Sequence, residues 1–288
     1  MPLRTDHLRL AAEEDWASFL NGPINSYEHL RNFDFGPDNR SNVSCLSKYI
    51  SHRALFEFDI IAQTLASYRL ENVEKFVQEV FWRVYWKGWL EHRPTVWDDF
   101  VSFRFDLASN STYQSAIKGN TGISCFDSWV NELQENNYLH NHTRMWFASI
   151  WIFTLGLPWQ MGARFFMQHL LDGDAASNTL GWRWVAGVQT AGKHYLARSD
   201  NIARYTNGRF GDDVLNEDAE SCTDNTIHTA MPIDPAGGMT SRFETLIVFD
   251  TDLHLESENA YSNYESVLVL CLDNYERNIA LSPPVLAF

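Results

Sequence analysis

The chain has 288 residues, of which 45% are hydrophobic and 14% aromatic, and a formal net charge of −15. That length and apolar content exclude a disordered chain and suit one large domain, or one domain with a smaller attachment. Four cysteines, Cys45, Cys125, Cys222 and Cys271, stand far apart; a disulfide framework and a structural zinc site are not expected, no metal is expected, and a reducing cytoplasm is the expected compartment. The N-terminal segment has no apolar core of the secretory kind. Charge is uneven. Residues 1–210 carry 22 acidic and 20 basic side chains, and residues 211–288 carry 15 and 2. The first part is near neutral, whereas the second would repel nucleic acid.

In chain order, residues 73–92 are the first strongly periodic segment. Val73, Phe76, Val77, Val80, Phe81, Val84 and Tyr85 recur at helical spacing. Residues 124–136 predict a second helix with Ser124 as its N-cap. Residues 139–156 predict a third, broken near Pro158, and residues 160–171 a fourth. The uncharged stretch 145–163 is long enough to suggest a membrane span. It also holds Ser149, Thr154, Gly156, Pro158 and Gln160, so a buried core helix is expected and no membrane contact. Residues 211–241 are polar and rich in turn formers, and are read as an acidic linker. The runs 245–250 and 266–273 are short, apolar and β-branched, like buried parallel strands, and 257–265 predict a crossover helix between them. Two strands are too few for an independent sheet. The expected organisation is mainly α: a helical domain over 1–210, a linker over 211–241, and a small, incomplete α/β segment over 242–288.

The stretch LDGDAASNTLGWRW, residues 171–184, places two acids, an amide and two indoles close together. The acids lack a nearby His or Cys partner for a metal. On composition alone, Trp182 and Trp184 are core residues. Two further stretches, FVQEVFWRVYWKGWL (76–90) and NNYLHNHTRMWFAS (136–149), change that weighting. In order and spacing, the three resemble the flavin-binding domain of the photolyase/cryptochrome family. Family motifs of the form ELxWRxFY, WMHNRxRM and DGDxxxNxxxWxW align with Glu79 to Trp86, Tyr138 to Met145, and Asp172 to Trp184. Upstream, SYEHLRNF matches a YExxRxF pattern and places Tyr27, and residues 38–53 align with a TSRLSPYL-type segment. The resemblance spans roughly residues 25–210 and is similar to the short, antenna-less members.

The resemblance implies a helical domain holding FAD in a folded form, with the chemistry belonging to the flavin. It implies that the loop Asp38, Asn39, Arg40, Ser41 and Asn42 holds the FAD phosphates and ribityl chain through backbone N–H groups, with Tyr27 and Arg83 nearby. It places Asp172, Gly173 and Asp174 at the ring edge and ribose side, with Arg144 paired to Asp172. Asn178 would face flavin N5, its amide free to flip. Glu79, Trp82, Asn141, His142, Met145 and Trp184 would line the lesion pocket. Trp182 and Trp159 match the inner two members of a tryptophan electron path, whose outer position falls at Asp106. Aspartate cannot be oxidised in that way, so a different aromatic, such as Phe105, Tyr113 or an off-path tryptophan, is expected to take over.

The implied activity is light-driven splitting of cyclobutane pyrimidine dimers, an enzyme of the deoxyribodipyrimidine photo-lyase kind. Single-stranded damaged DNA is the expected substrate and a monomer the expected state. The alternative is a cryptochrome-like blue-light sensor with a signalling protein partner, favoured by His142 in place of a family arginine. Repair of the 6–4 photoproduct fits less well, because that branch pairs histidines where this chain has His140 and Asn141. The tail run TLIVFDTDLHLESENA weakly resembles the first strand of the family's antenna domain.

Overall fold

The computed structural model describes residues 5–106, 109–190, 192–233, 245–249, 251–254 and 266–270. The helices are α1 (Thr5–Leu20), α2 (Tyr27–Leu30), α3 (Ser47–Ile50), α4 (Glu57–Ser67), α5 (Leu70–Glu91), α6 (Pro94–Ser102), α7 (Ser111–Ala116), α8 (Ser124–Asn136), α9 (Asn141–Ser149), α10 (Trp159–His169), α11 (Ala175–Ala186) and α12 (Ser199–Tyr205). A 3-10 turn spans Pro23–Ser26 and a π turn spans Ile150–Thr154. Strands β1 (Thr245–Phe249) and β2 (Ser266–Leu270) pair in parallel, with Thr245 opposite Ser266. The crossover helix expected over 257–265 lies outside the described residues. No described helix is long and apolar enough to cross a membrane.

The chain divides into two compact units. One comprises the residues up to Glu28, Val43–Val84 and those from Pro232 on; the other comprises His29–Asn42 and Tyr85–Met231.

The first unit has an aromatic core. Trp16 stacks on Phe76 at 5.8 Å, and Tyr27 meets Phe76 edge-on at 5.4 Å. The helical period of α5 accounts for this, since Val73, Phe76, Val77 and Val80 form its buried stripe. In the same unit the turn after β1 is tied to the loop before α4. Leu253 N donates to the His52 carbonyl at 3.0 Å, and Arg53 pairs with Asp252 at 3.1 Å.

The second unit is built on α8 to α11. Phe126, Trp129, Trp146, Phe147 and Trp151 are completely buried there. The helix expected over 139–156 is α9 followed by the π turn, in which Leu155 N reaches back to the Ile150 carbonyl at 2.9 Å. Gly156 then takes φ +65 and ends the segment before Pro158.

Ser124 is not the N-cap of α8. That position is Ile123, which supplies no side-chain bond. The free N–H groups of the first turn are met instead by Asp213, which accepts from Ser124 N at 2.6 Å and Cys125 N at 3.0 Å. Asp213 belongs to an acidic, irregular stretch bonded at several points to its own unit. Glu217 accepts from Ser199 N at the start of α12 at 2.8 Å, and Asp224 pairs with Arg183 at 3.3 Å.

Candidate functional site

Each unit gathers part of the expected set. In the first, Tyr27 is buried and its hydroxyl donates to the carboxylate of Glu79 in a short hydrogen bond. Burial of the phenol in the aromatic core fixes where its oxygen lies, and that oxygen then orients Glu79. Trp82 stands on the exposed face of α5 with 51% of its surface accessible, and Arg83 is half-buried beside it.

In the second unit, the turn between α10 and α11 carries the acids. Asp174 is the N-cap of α11 and accepts from Ser177 N at 2.7 Å, so one of its oxygens is spent on the helix start. Asp172 is buried and pairs with Arg144 at 3.0 Å, while Arg144 Nε donates to the Leu139 carbonyl at 2.9 Å. Gly173 lies where a Cβ would come within 3.2 Å of the Leu170 carbonyl and 3.3 Å of Met167 Cα, so a side chain there would fit only if the turn gave by a few tenths of an ångström. One turn into α11, Asn178 is buried and its Nδ2 donates to the Ala163 carbonyl at 2.8 Å. A flip would set Oδ1 against that carbonyl, so the amide is held with Oδ1 as its free acceptor rather than free to turn.

Trp182 follows on the same helix. It is 3% exposed and its Nε1–H has no hydrogen-bond partner among the described residues. Gly162 on α10 makes room for it, because a Cβ there would lie 2.2 Å from the Trp182 ring. Gly162→Ala should therefore cost about 1–3 kcal/mol by overpacking, read as a lower urea midpoint with shifted tryptophan fluorescence. Unchanged values for both would show that α10 and α11 part easily.

Trp184 faces outward on α11, 37% exposed, and stacks on Tyr195 at 5.9 Å. His142 is stacked on Trp146 at 4.2 Å, with Nδ1 at 2.9 Å from the Asn32 carbonyl. Burial holds its pKa below the usual value, so this ring stays neutral and offers phosphate no charge. Asn141 is exposed at the start of α9 and Met145 is half-buried one turn on. Trp159 is buried against Phe100 at 5.8 Å, with the Arg183 guanidinium 5.7 Å over its ring. Asp106 is exposed and accepts from the Ser109 hydroxyl at 2.6 Å.

The loop from Asp38 to Asn42 differs from its expected form. Asp38, Asn39 and Ser41 are exposed, but Asn39 N is already bonded to the Gly36 carbonyl at 3.1 Å. Asn42 is buried, its Nδ2 donating to the Leu30 and Phe33 carbonyls, both at 2.8 Å. The Arg40 side chain turns into an ionic cluster that the sequence motifs do not mark. It pairs with Asp34 at 2.5 Å and, more closely still, with Glu132. Asp34 is wholly buried and also accepts from Gly36 N at 3.0 Å and Thr143 Oγ1 at 2.6 Å, with Arg209 at 3.3 Å. Burial alone would raise its pKa, but Arg40 and these hydrogen bonds hold it below the usual carboxylate range. Burial pushes Glu132 up to about 7 against the pull of Arg40.

An indole N–H with no partner among the described residues, a fixed amide acceptor and an arginine–aspartate pair thus stand on α9, α11 and the turn before α11. Ser177 Oγ and Thr179 Oγ1 on α11 add two further buried oxygens with no partner among the described residues. No group of three or more His, Cys, Asp or Glu among the described residues is placed to hold a metal ion.

Residues 76–209 match the family model described as the FAD binding domain of DNA photolyase. A deoxyribodipyrimidine photo-lyase of Streptomyces griseus is 31% identical over 199 residues, covering 64% of this chain and 43% of that protein. The one of Vibrio cholerae is 27% identical over 187 residues, covering 62% and 39%. The chain thus spans less than half the length of these curated relatives. Among solved structures, a bacterial class III photolyase from Agrobacterium tumefaciens superposes with a TM-score of 0.57 at 22% identity, covering 69% of this chain and 42% of that one. A Synechocystis cryptochrome superposes at 0.60 and 20% identity, covering 68% and 43%. Helical architecture, motif order and family match agree: residues 76–209 of this chain are similar to the FAD-binding domain of DNA photolyases.

Proposed function

We propose that this chain is a blue-light-driven flavoprotein that splits cyclobutane pyrimidine dimers in DNA, with single-stranded DNA as the favoured substrate. The observation that carries the reading is the fixed set Arg144, Asp172, Asn178 and Trp182. Bound FAD supplies the chemistry, a photoexcited one-electron donor. Arg144 places a cation beside the ring, which favours an anionic reduced form, and Asp172 holds that cation in position. Asn178 offers an acceptor, held by Ala163, that suits a protonated N5. Asp174, with Gly173, shapes the turn toward the ribose side, and the loop Asp38–Asn42 serves the phosphates through its remaining backbone N–H groups. Arg40 is committed to Asp34 and Glu132, so its role there is to stiffen the loop. Within the first unit, Glu79, oriented by Tyr27, accepts a hydrogen bond from a flipped-out base and Trp82 offers a stacking face; in the second unit, Trp184 offers an exposed ring for stacking on DNA. The neutral His142 and the near-neutral charge of residues 1–210 leave little grip on a duplex, which favours single strands.

The alternative is a blue-light sensor. The neutral His142 and the acidic stretch bonded to the second unit favour it, and the acidic stretch suits a protein partner better than DNA.

The test is photoreduction of the FAD-loaded protein, blue illumination with a dimer-containing oligonucleotide, single- or double-stranded, and measurement of the returning ultraviolet absorbance of the bases. Recovery on the single strand, lost in Trp184→Ala and Glu79→Gln, is the expected result. A flavin that cycles in light without recovery on either strand would leave the sensor.

A further inference from the structure

The segment after α11 returns to that helix and brings a phenol against its exposed indole. Gly187, at φ +83, ends α11, and Val188 N and Gln189 N both bond the Arg183 carbonyl at 3.1 Å. Further on, Tyr195 N donates to the Val185 carbonyl at 3.1 Å, and Ala197 N donates to Ser149 Oγ on α9 at 2.8 Å. These two bonds fix the backbone that carries the Tyr195 ring. The ring stands against Trp184 at 5.9 Å, with the two planes 26° apart.

The phenol is held at its far end as well. Tyr195 Oη lies 3.3 Å from His142 Nε2, and His142 Nδ1 lies 2.9 Å from the Asn32 carbonyl. A carbonyl only accepts, so Nδ1 carries the proton of the neutral ring and Nε2 is left as an acceptor. The Tyr195 hydroxyl therefore donates to Nε2. Burial pushes its pKa up to about 12, so the phenol keeps the proton that this bond uses. His142 is itself stacked on Trp146 at 4.2 Å. Trp146 is completely buried, and its Nε1 donates to Asn201 Oδ1 at 3.1 Å. A column of fixed rings thus runs from the core of the second unit through His142 and Tyr195 to Trp184, which is 37% exposed.

An exposed side chain that stacks on a flat ligand gives up rotamer freedom on binding, whereas one already held at the stacking angle gives up little. The same hydrogen bond gives His142 a role that an arginine at this position could not fill, because a guanidinium has no acceptor atom for the phenol.

We propose that Tyr195 is a positioning residue that holds the Trp184 indole ready to stack on a base of the damaged strand, through its hydrogen bond to His142. The proposal rests on the reading above that Trp184 meets the DNA.

The experiment is a double-mutant cycle on the full chain loaded with FAD. The probe is a single strand containing one pyrimidine dimer and a red-absorbing dye, and binding is read by anisotropy without blue light. FAD uptake and the urea midpoint are measured first for each variant. Tyr195→Phe keeps the ring and removes the donor. It should weaken binding about 3- to 10-fold, the loss that one hydrogen bond gives. It should add nothing in a Trp184→Ala background. A role confined to folding would weaken binding equally in both backgrounds, and that result overturns the proposal. So does unchanged binding by Tyr195→Phe where Trp184→Ala binds more weakly. If Trp184→Ala alone leaves binding unchanged, the stacking reading fails and the proposal with it, so the two failures are told apart. Should Tyr195→Phe take up no FAD, His142→Asn, too short to reach the phenol, breaks the same bond from the other side and enters the same cycle with the same expected and overturning results.

Discussion

Replacing Asp34 with alanine should destabilise the protein by about 3–5 kcal/mol, the usual cost of removing one partner from a buried ion pair. Asp34 is wholly buried and serves two guanidiniums, a hydroxyl and a backbone N–H. Without it, Arg40 and Arg209 remain in a partly desolvated setting with Glu132 as the remaining carboxylate beside Arg40. Gly36, at φ +99, loses the acceptor that holds its turn. Urea unfolding should show the midpoint falling with little change in slope. Asp200→Ala is the matched control, since Asp200 pairs with Arg198 at the surface and its loss should leave the midpoint unmoved. Equal midpoints for Asp34→Ala and Asp200→Ala would mean that the cluster does not contribute to stability.

The cluster was invisible in the sequence because its members are distant along the chain. Arg209 lies 175 positions from Asp34, and Thr143 lies 109. Nothing local marks Asp34 as different from any other acid in a polar loop. The cap of α8 failed for the same reason. Ser124 has the right side chain at nearly the right place, but Asp213, 89 positions on, reaches the same N–H groups with a full charge. By contrast, the buried stripe of α5 was legible because it depends only on the 3.6-residue period. The pairing of Arg144 with Asp172 was legible only through family resemblance, since no periodic pattern joins residues 28 apart. The end of α9 fell between these cases. Its apolar run continues through residues 150–153, so the pattern gives no sign that the hydrogen-bond ladder widens there.

His140 yields the second large effect, in acid. It is 1% exposed, and its Nδ1 accepts from His142 N at 3.2 Å as the N-cap of α9. An accepting Nδ1 requires the neutral ring, and burial pushes its pKa down to about 3 from 6.5. The folded state thus binds fewer protons than the unfolded state between those two values. The resulting stability is fully present above pH 6.5 and is lost as the pH falls toward about 3. At 1.36 kcal/mol per unit, the loss is on the order of 5 kcal/mol at most. His140→Asn tests this directly, because asparagine is a good N-cap and does not titrate. Unfolding midpoints for the two proteins should diverge with acidification, with the histidine protein losing more. Both also lose the share contributed by Asp34, whose depressed pKa acts in the same direction at lower pH, so the difference between the two curves isolates His140. Parallel curves from pH 7 to pH 4 would mean that the ring is protonated in the fold without cost, and that its hydrogen bond to His142 is not what fixes the start of α9.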